Sequence, residues 1–165
     1  MQISSRKAFY GGLAATACIG LFLFWQWQPE HQIKRHTENL LHAIEHKNWT
    51  ATGSFIAGDY HDQWGDDRAR VLERMREGFR YVRGLKLSAF SVSVQVHQRR
   101  AQWSGRIWID GGQNEVTELL KQQVNSLTTP FELDWRLLSG KPWDWKLVGV
   151  SNSALEIPAE PTEVN

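Results

Sequence analysis

Two imidazoles four residues apart, with a carboxylate between them, stand in His42-Ala43-Ile44-Glu45-His46. That is the H-x-x-E-H spacing with which one metalloprotease class puts two zinc-binding histidines on one helix face. A second group, Asp59, Tyr60, His61, Asp62 and Trp64, gathers carboxylates, a phenol, an imidazole and an indole just after Gly58. A neutral histidine or a pocket carboxylate there could act as a general base, and loops on rigid scaffolds are where sites concentrate. A third group is aromatic: Trp103, Trp135, Trp143 and Trp145 could line a pocket for an apolar or ring-shaped ligand.

Each group also has a plainer reading. At about 100° per residue, His42 falls roughly opposite the apolar stripe of its helix and His46 only a little further round. His31 and Arg35 share that face, so the sequence reads as a solvated His/Arg face with no metal and no cofactor. Asp59 and Asp62 have the chemistry of turns and caps, and Tyr60 and Trp64 that of packing residues. Inward-facing tryptophans are most often core. No catalytic assignment follows; Asp59, Tyr60, His61, Trp103 and Trp135 stand as ligand-binding candidates. The arginines 68, 70, 74, 76, 80 and 83 interleave with Glu73 and Glu77 at pairing distance, as on a salt-bridge-laced exposed helix.

The elements that must position these groups are legible from periodicity. Ile33, Thr37, Leu40, Leu41 and Ile44 form one stripe after Pro29, giving a helix over 30–47. A short helix follows over 49–57, and Asp66 and Asp67 start a third whose buried stripe is Val71, Leu72, Met75, Phe79 and Val82. From Leu85 the period becomes two. Phe90, Val92, Val94 and Val96 alternate with small polar residues. Trp103, Ile107 and Ile109 share a face, as do Phe131, Leu133, Trp135 and Leu137, and then Trp143, Trp145 and Leu147. Val116, Leu119, Leu120 and Val124 lie between strands, at a spacing a short helix would use. Helices first and strands afterwards is the α+β pattern, with the helices on one sheet face. Parity puts Trp108 with Arg106 and Asp110 on the other face, and Leu138, Val148 and Val150 are expected there too. Those four are interface candidates, for a homodimer formed sheet to sheet.

Composition sets the class. The chain suits one domain plus an appendage, and 19 basic residues against 18 acidic ones argue against nucleic acid as partner. The single cysteine, Cys18, lies in the apolar N-terminal run, so the domain has no thiol for a disulfide, a metal or nucleophilic attack. Phe9 to Trp27 holds no charge, and as a helix would span about 28 Å, near the roughly 30 Å of a bilayer core. Arg6 and Lys7 before it favour an outward-facing domain, on the periplasmic or extracellular side. Cleavage after Ala15-Thr16-Ala17, or lipidation at Cys18, fits less well, because the apolar run continues past both. The expected layout is a membrane anchor over 1–28, a domain over 29–155 and a disordered tail over 156–165.

The opening long helix, the short helix running into Gly58-Asp59-Tyr60, the helix from Asp66, the long strands and the closing Trp143-Asp144-Trp145-Lys146-Leu147 are together similar to the nuclear transport factor 2-like superfamily. That group includes ketosteroid isomerase and the SnoaL-like cyclases. The resemblance covers nearly all of residues 30–152 and is one of order and length. It implies a cone: three N-terminal helices closing a curved antiparallel sheet around an apolar pocket, here preceded by one transmembrane helix. Its members include enzymes, adaptors, secretion-system parts and dimerisation modules, so three functions are carried forward. The first is a membrane-tethered, non-enzymatic binding or assembly module; the second is a small-pocket enzyme doing proton transfer on an apolar ligand; the third is an accessory subunit of an envelope secretion or transport complex.

Overall fold

A computed structural model describes residues 16–20, 22, 27–112 and 114–155. Residues 16–20 and 22 are helical, but most of the apolar run 9–27 and all of the tail 156–165 lie outside the described residues. Among the described residues, no helix is long and apolar enough to cross a membrane.

Among the described residues from Pro29 on, four helices and four strands follow in the order α1 (Pro29–Glu45), α2 (Trp49–Phe55), α3 (Arg68–Gly78), β1 (Leu85–His97), β2 (Arg100–Gly111), α4 (Glu115–Asn125), β3 (Phe131–Leu137) and β4 (Trp145–Ser151). Local chemistry sets the helix starts. Pro29 occupies the first turn of α1, where its missing N–H costs nothing. Asn48, Asp67 and Asn114 cap α2, α3 and α4 by accepting from the backbone N–H of Ala51, Arg70 and Thr117 at 2.9–3.1 Å. The segment around Val116 to Val124, open to more than one reading in the sequence, is therefore a capped helix.

The strands pair antiparallel in the order β1-β2-β3-β4. Helix α1 lies on β1 and β2, and α4 on β2. The filled core sits beneath α1, where Ile33, Leu40, Trp103, Leu133, Trp135 and Trp145 are buried. Gly105 belongs to this packing. A Cβ there would stand 2.6 Å from Trp103 Cη2, so the indole lies flat over bare backbone.

Two β-bulges change the parity read from the sequence. Between Phe90 and Ser93 the β1–β2 register shifts, with Ser91 at φ 54°. Leu85, Leu87 and Ala89 face the helices before the bulge, and Val92, Val94 and Val96 after it. Phe90 therefore leaves the face it is expected to share with Val92, Val94 and Val96 and meets Trp108 on the outer one, at 6.4 Å between ring centroids. The second shift, between Asp134 and Trp135, leaves Val148 as the extra residue on β4. Val150 then pairs with Leu133 and turns inward. Trp143 departs from expectation too: it precedes β4 in a turn and is exposed.

Candidate functional site

Residues 56–63 decide which members of the Asp59–Trp64 group face the interior. This segment lies beside the outer edge of β4 and turns at Gly58-Asp59, with the amides of Ala57, His61 and Gln63 donating to the carbonyls of Leu147, Val148 and Val150. Past that turn, the side chains from Tyr60 to Asp62 alternate as on a strand. Tyr60, Asp62 and Trp64 point in, while Asp59 and His61 are exposed. Asp59 forms a two-pronged pair with Arg136, at 2.6 and 2.7 Å, on the surface. That guanidinium holds its carboxyl below the usual carboxylate range.

The inward residues line a cavity of about 350 Å³ between α1, α3, α4 and the sheet. Leu41, Val71, Met75, Phe79, Ile107 and Val124 supply most of its apolar wall. The cavity explains a feature of α3: its apolar stripe is as expected, yet no residue of that helix is fully buried, because the stripe faces space instead of side chains. The volume is at the low end of the ~300–1,000 Å³ typical of ligand pockets and suits a ligand of one or two rings.

One end of the cavity is polar. Tyr60 Oη donates to Asp62 Oδ2 at 3.2 Å, and Asp62 Oδ1 accepts from the backbone N–H of Trp64 (3.0 Å) and Asp66 (2.9 Å). Burial, then the Asp62 charge beside it, holds the Tyr60 phenol well above its ordinary range, so it is a neutral donor. Asp66 is buried and reaches Arg74 Nη1 at 3.3 Å and Arg70 Nε at 3.8 Å. Burial raises its carboxyl above the usual range although Arg74 pulls the other way. Two arginines of α3 thus turn to Asp66, and a third, Arg68, donates to the Gly53 carbonyl at 2.8 Å.

The edge of the cavity is tied to the segment that follows β4. Trp64 Nε1 donates to the Leu155 carbonyl at 3.0 Å, and Gln63 Nε2 to the Asn152 carbonyl at 2.7 Å. Asn152 is buried; its amide accepts from Thr129 and Ala154 and donates to the carbonyls of Thr129 and Pro130. The sequence marks neither Asp66 nor Asn152 as part of a site, and it places Arg74 in a row of exposed, salt-bridged arginines. Asp66 reads as a helix-start residue, and its burial follows only from the hairpin-like bridge between His61 and Asp67.

The remaining candidates fall elsewhere. Trp103 and Trp135 lie in the filled core and do not line this cavity. Trp108 is on the outer face, where Phe90 packs edge-on against it and the Arg106 guanidinium lies 5.0 Å from the Phe90 ring centre. Leu138 follows the residue that pairs with Arg99, whose neighbour Arg100 is eight positions along β2 from Trp108, or about 26 Å at strand rise. Trp108, Leu138 and Val148 therefore share no single patch, and Val150 has left that face altogether.

No known family profile matches the sequence. No curated protein matches it either. Solved structures do. A nuclear transport factor 2-like protein of unknown function from Pseudomonas putida is similar with a TM-score of 0.57 at 12% identity, over 76% of this chain and 86% of that one. A nuclear transport factor 2-like protein of unknown function in nutrient uptake from Rhodospirillum rubrum is similar at 0.52 and 22% identity, over 75% and 98%. A candidate ketosteroid isomerase from Shewanella frigidimarina is similar at 0.53 and 12% identity, over 76% and 98%. The chain has the nuclear transport factor 2-like fold, an α+β arrangement of helices on a four-stranded antiparallel sheet.

Proposed function

We infer that this protein is a membrane-tethered binding module that takes a small, largely apolar ligand into the cavity under α3. The observation that carries this is the cavity itself: about 350 Å³ of mainly hydrocarbon-walled space with Tyr60, Asp62, Asp66 and Arg74 at one end. A ligand with a ring and one carbonyl or hydroxyl would match the wall and find a polar anchor. The tether rests on the uncharged run from Phe9 to Trp27, and on Ile19 and Phe22, apolar side chains left exposed on the described helical stretch. On this reading the domain lies on the outer side of the membrane, and the Phe90–Trp108 pair on the sheet's outer face serves self-association.

Native mass spectrometry of the detergent-purified protein, with 1-anilinonaphthalene-8-sulfonate titration, tests the cavity. A bound small molecule, or saturable probe fluorescence, is expected, and should vanish in Val124→Trp, which fills the space. Probe binding unchanged in that variant would sink the reading. Alkaline carbonate extraction tests the tether; a chain washed into the supernatant would exclude it.

One observation favours a second reading. Asp66 borders the cavity with its carboxyl raised by burial, near the neutral phenol of Tyr60, and such a pair could move a proton on a bound carbonyl compound. Turnover lost in Asp66→Asn while ligand binding persists would turn the assignment to an enzyme.

A further inference from the structure

We propose that His42, Glu45 and His46, at the end of α1, form a three-ligand site for zinc. The sequence reads as a solvated His/Arg face with no metal. The fold alters that judgement, because one ligand atom from each of these three residues lies within 4.8 Å of the other two. The rings of His42 and His46 are stacked at a tilt, 4.1 Å between centroids.

Two hydrogen bonds prepare the donors. His46 Nδ1 lies 2.9 Å from the His42 carbonyl oxygen. A carbonyl only accepts, so Nδ1 carries the proton and the neutral ring's lone pair is on Nε2. Metal-bound histidines are commonly fixed by such a bond from the other ring nitrogen to a backbone carbonyl. Glu45 Oε2 accepts from the Leu87 backbone N–H at 3.2 Å, which fixes the carboxylate between α1 and the edge of β1 and leaves Oε1 to bind. Helix position helps further. α1 ends at Glu45 with His46 as its C-cap, and the negative end of a helix dipole favours a cation there.

Two imidazoles and one carboxylate are the donor set of zinc sites that keep a fourth position open. Around zinc at about 2.0–2.1 Å the donors would close to roughly 3.3 Å apart, which the two exposed histidines can reach by rotamer adjustment. The open position would face the groove of about 500 Å³ between α1 and β1, lined by Lys34, Thr37 and Ala89 among others. Here Glu45 is a ligand, not the general base that the H-x-x-E-H protease pattern assigns to it, so the proposal is metal binding and not proteolysis. It is independent of the cavity under α3.

Equilibrium dialysis of the full-length chain in detergent against zinc chloride alone tests it, in a Cys18→Ser background that removes the single thiol. One zinc per chain is expected, with His42→Ala and His46→Ala each weakening binding by roughly tenfold or more. Glu45→Gln, which can still accept from Leu87, should weaken it less. His31→Ala and His97→Ala should leave it unchanged. Binding well below one equivalent, or binding that survives the His42/His46 double substitution, would overturn the site. So would loss of binding in either control. Cobalt in place of zinc adds a visible spectrum, whose intensity reports a low-coordinate N/O shell.

Discussion

The Tyr60 hydroxyl and the Asp62 carboxylate meet at 3.2 Å inside the domain, where the cavity wall changes from apolar to polar. Asp62 also closes the turn over Trp64 to Asp66, so one side chain supports both the pocket and the loop that enters α3. Removing the two partners should therefore cost different amounts. Tyr60→Phe deletes one of three donors to Asp62 and should lower unfolding free energy by about 1 kcal/mol. Asp62→Ala strands two backbone N–H groups and a phenol, and should cost about 3 kcal/mol. Equal losses in urea unfolding would mean that the turn bonds contribute nothing.

Gly105 and Gly58 make a paired test of packing. A Cβ at Gly105 meets Trp103 at 2.6 and 2.8 Å and Val92 Cγ2 at 3.2 Å, and Trp103 is fully buried with little room to retreat. Gly105→Ala should cost about 1–3 kcal/mol through overpacking. At Gly58 an added Cβ meets nothing within 4 Å, so Gly58→Ala should stay within about 0.5 kcal/mol of the parent. Chemical denaturation of both variants decides it, and an indifferent Gly105→Ala would mean that the indole does not pack as described.

The outer sheet face offers a narrower association surface than the sequence suggested, centred on Phe90, Trp108 and Arg106. Trp108→Glu places a charge at its middle and should weaken self-association of the detergent-purified chain in sedimentation, whereas Leu138→Glu, just after β3 and beside the Arg100 end of β2, should not. Equal effects would restore a single extended patch, and no effect from either would remove the surface.

Much of the fold was readable because periodicity is a local property. The stripe of α1, the start of α3 at Asp67, and the inward faces of β2 and β3 all follow from neighbours within a few positions. What escaped the sequence was set by long-range pairing. Ser91 and Val148 become bulges only because their partner strands are one residue short at those points, and each bulge reverses a face downstream or upstream of it. The site shows the same division. Tyr60 was identified by type, but its inward direction, and the outward direction of Asp59 and His61, depend on residues 56–63 lying along β4, some 90 positions later. The buried Asp66 likewise needed the hairpin-like bridge, and Glu45, legible as part of the H-x-x-E-H motif, needed the β1 edge only for the bond that holds its carboxylate.

His36 supplies a pH test. Its ring packs against Phe55 and Trp135, each at 5.9 Å between centroids, and its Nδ1 is buried with no hydrogen-bond partner. Burial lowers its pKa below the ordinary 6.5, opposed by the nearby Trp143 backbone and reinforced by Lys146 and Arg35. A histidine whose folded pKa is depressed binds fewer protons than the unfolded chain across the interval between the two values. Stability from this group is then complete above pH 6.5 and drains away as pH falls from there through the lowered value. Asp66 and Asp134 act in the opposite sense, since burial raises both carboxyls and protonation relieves them, so their contribution improves with acid. In His36→Phe the aromatic contacts remain but the titrating group is gone. Urea unfolding at about pH 7.5 and about pH 5.5 should show a clear loss for the parent and a smaller one for the variant. Identical losses would mean that protonation at His36 costs the fold nothing, and that the acid sensitivity resides in other groups.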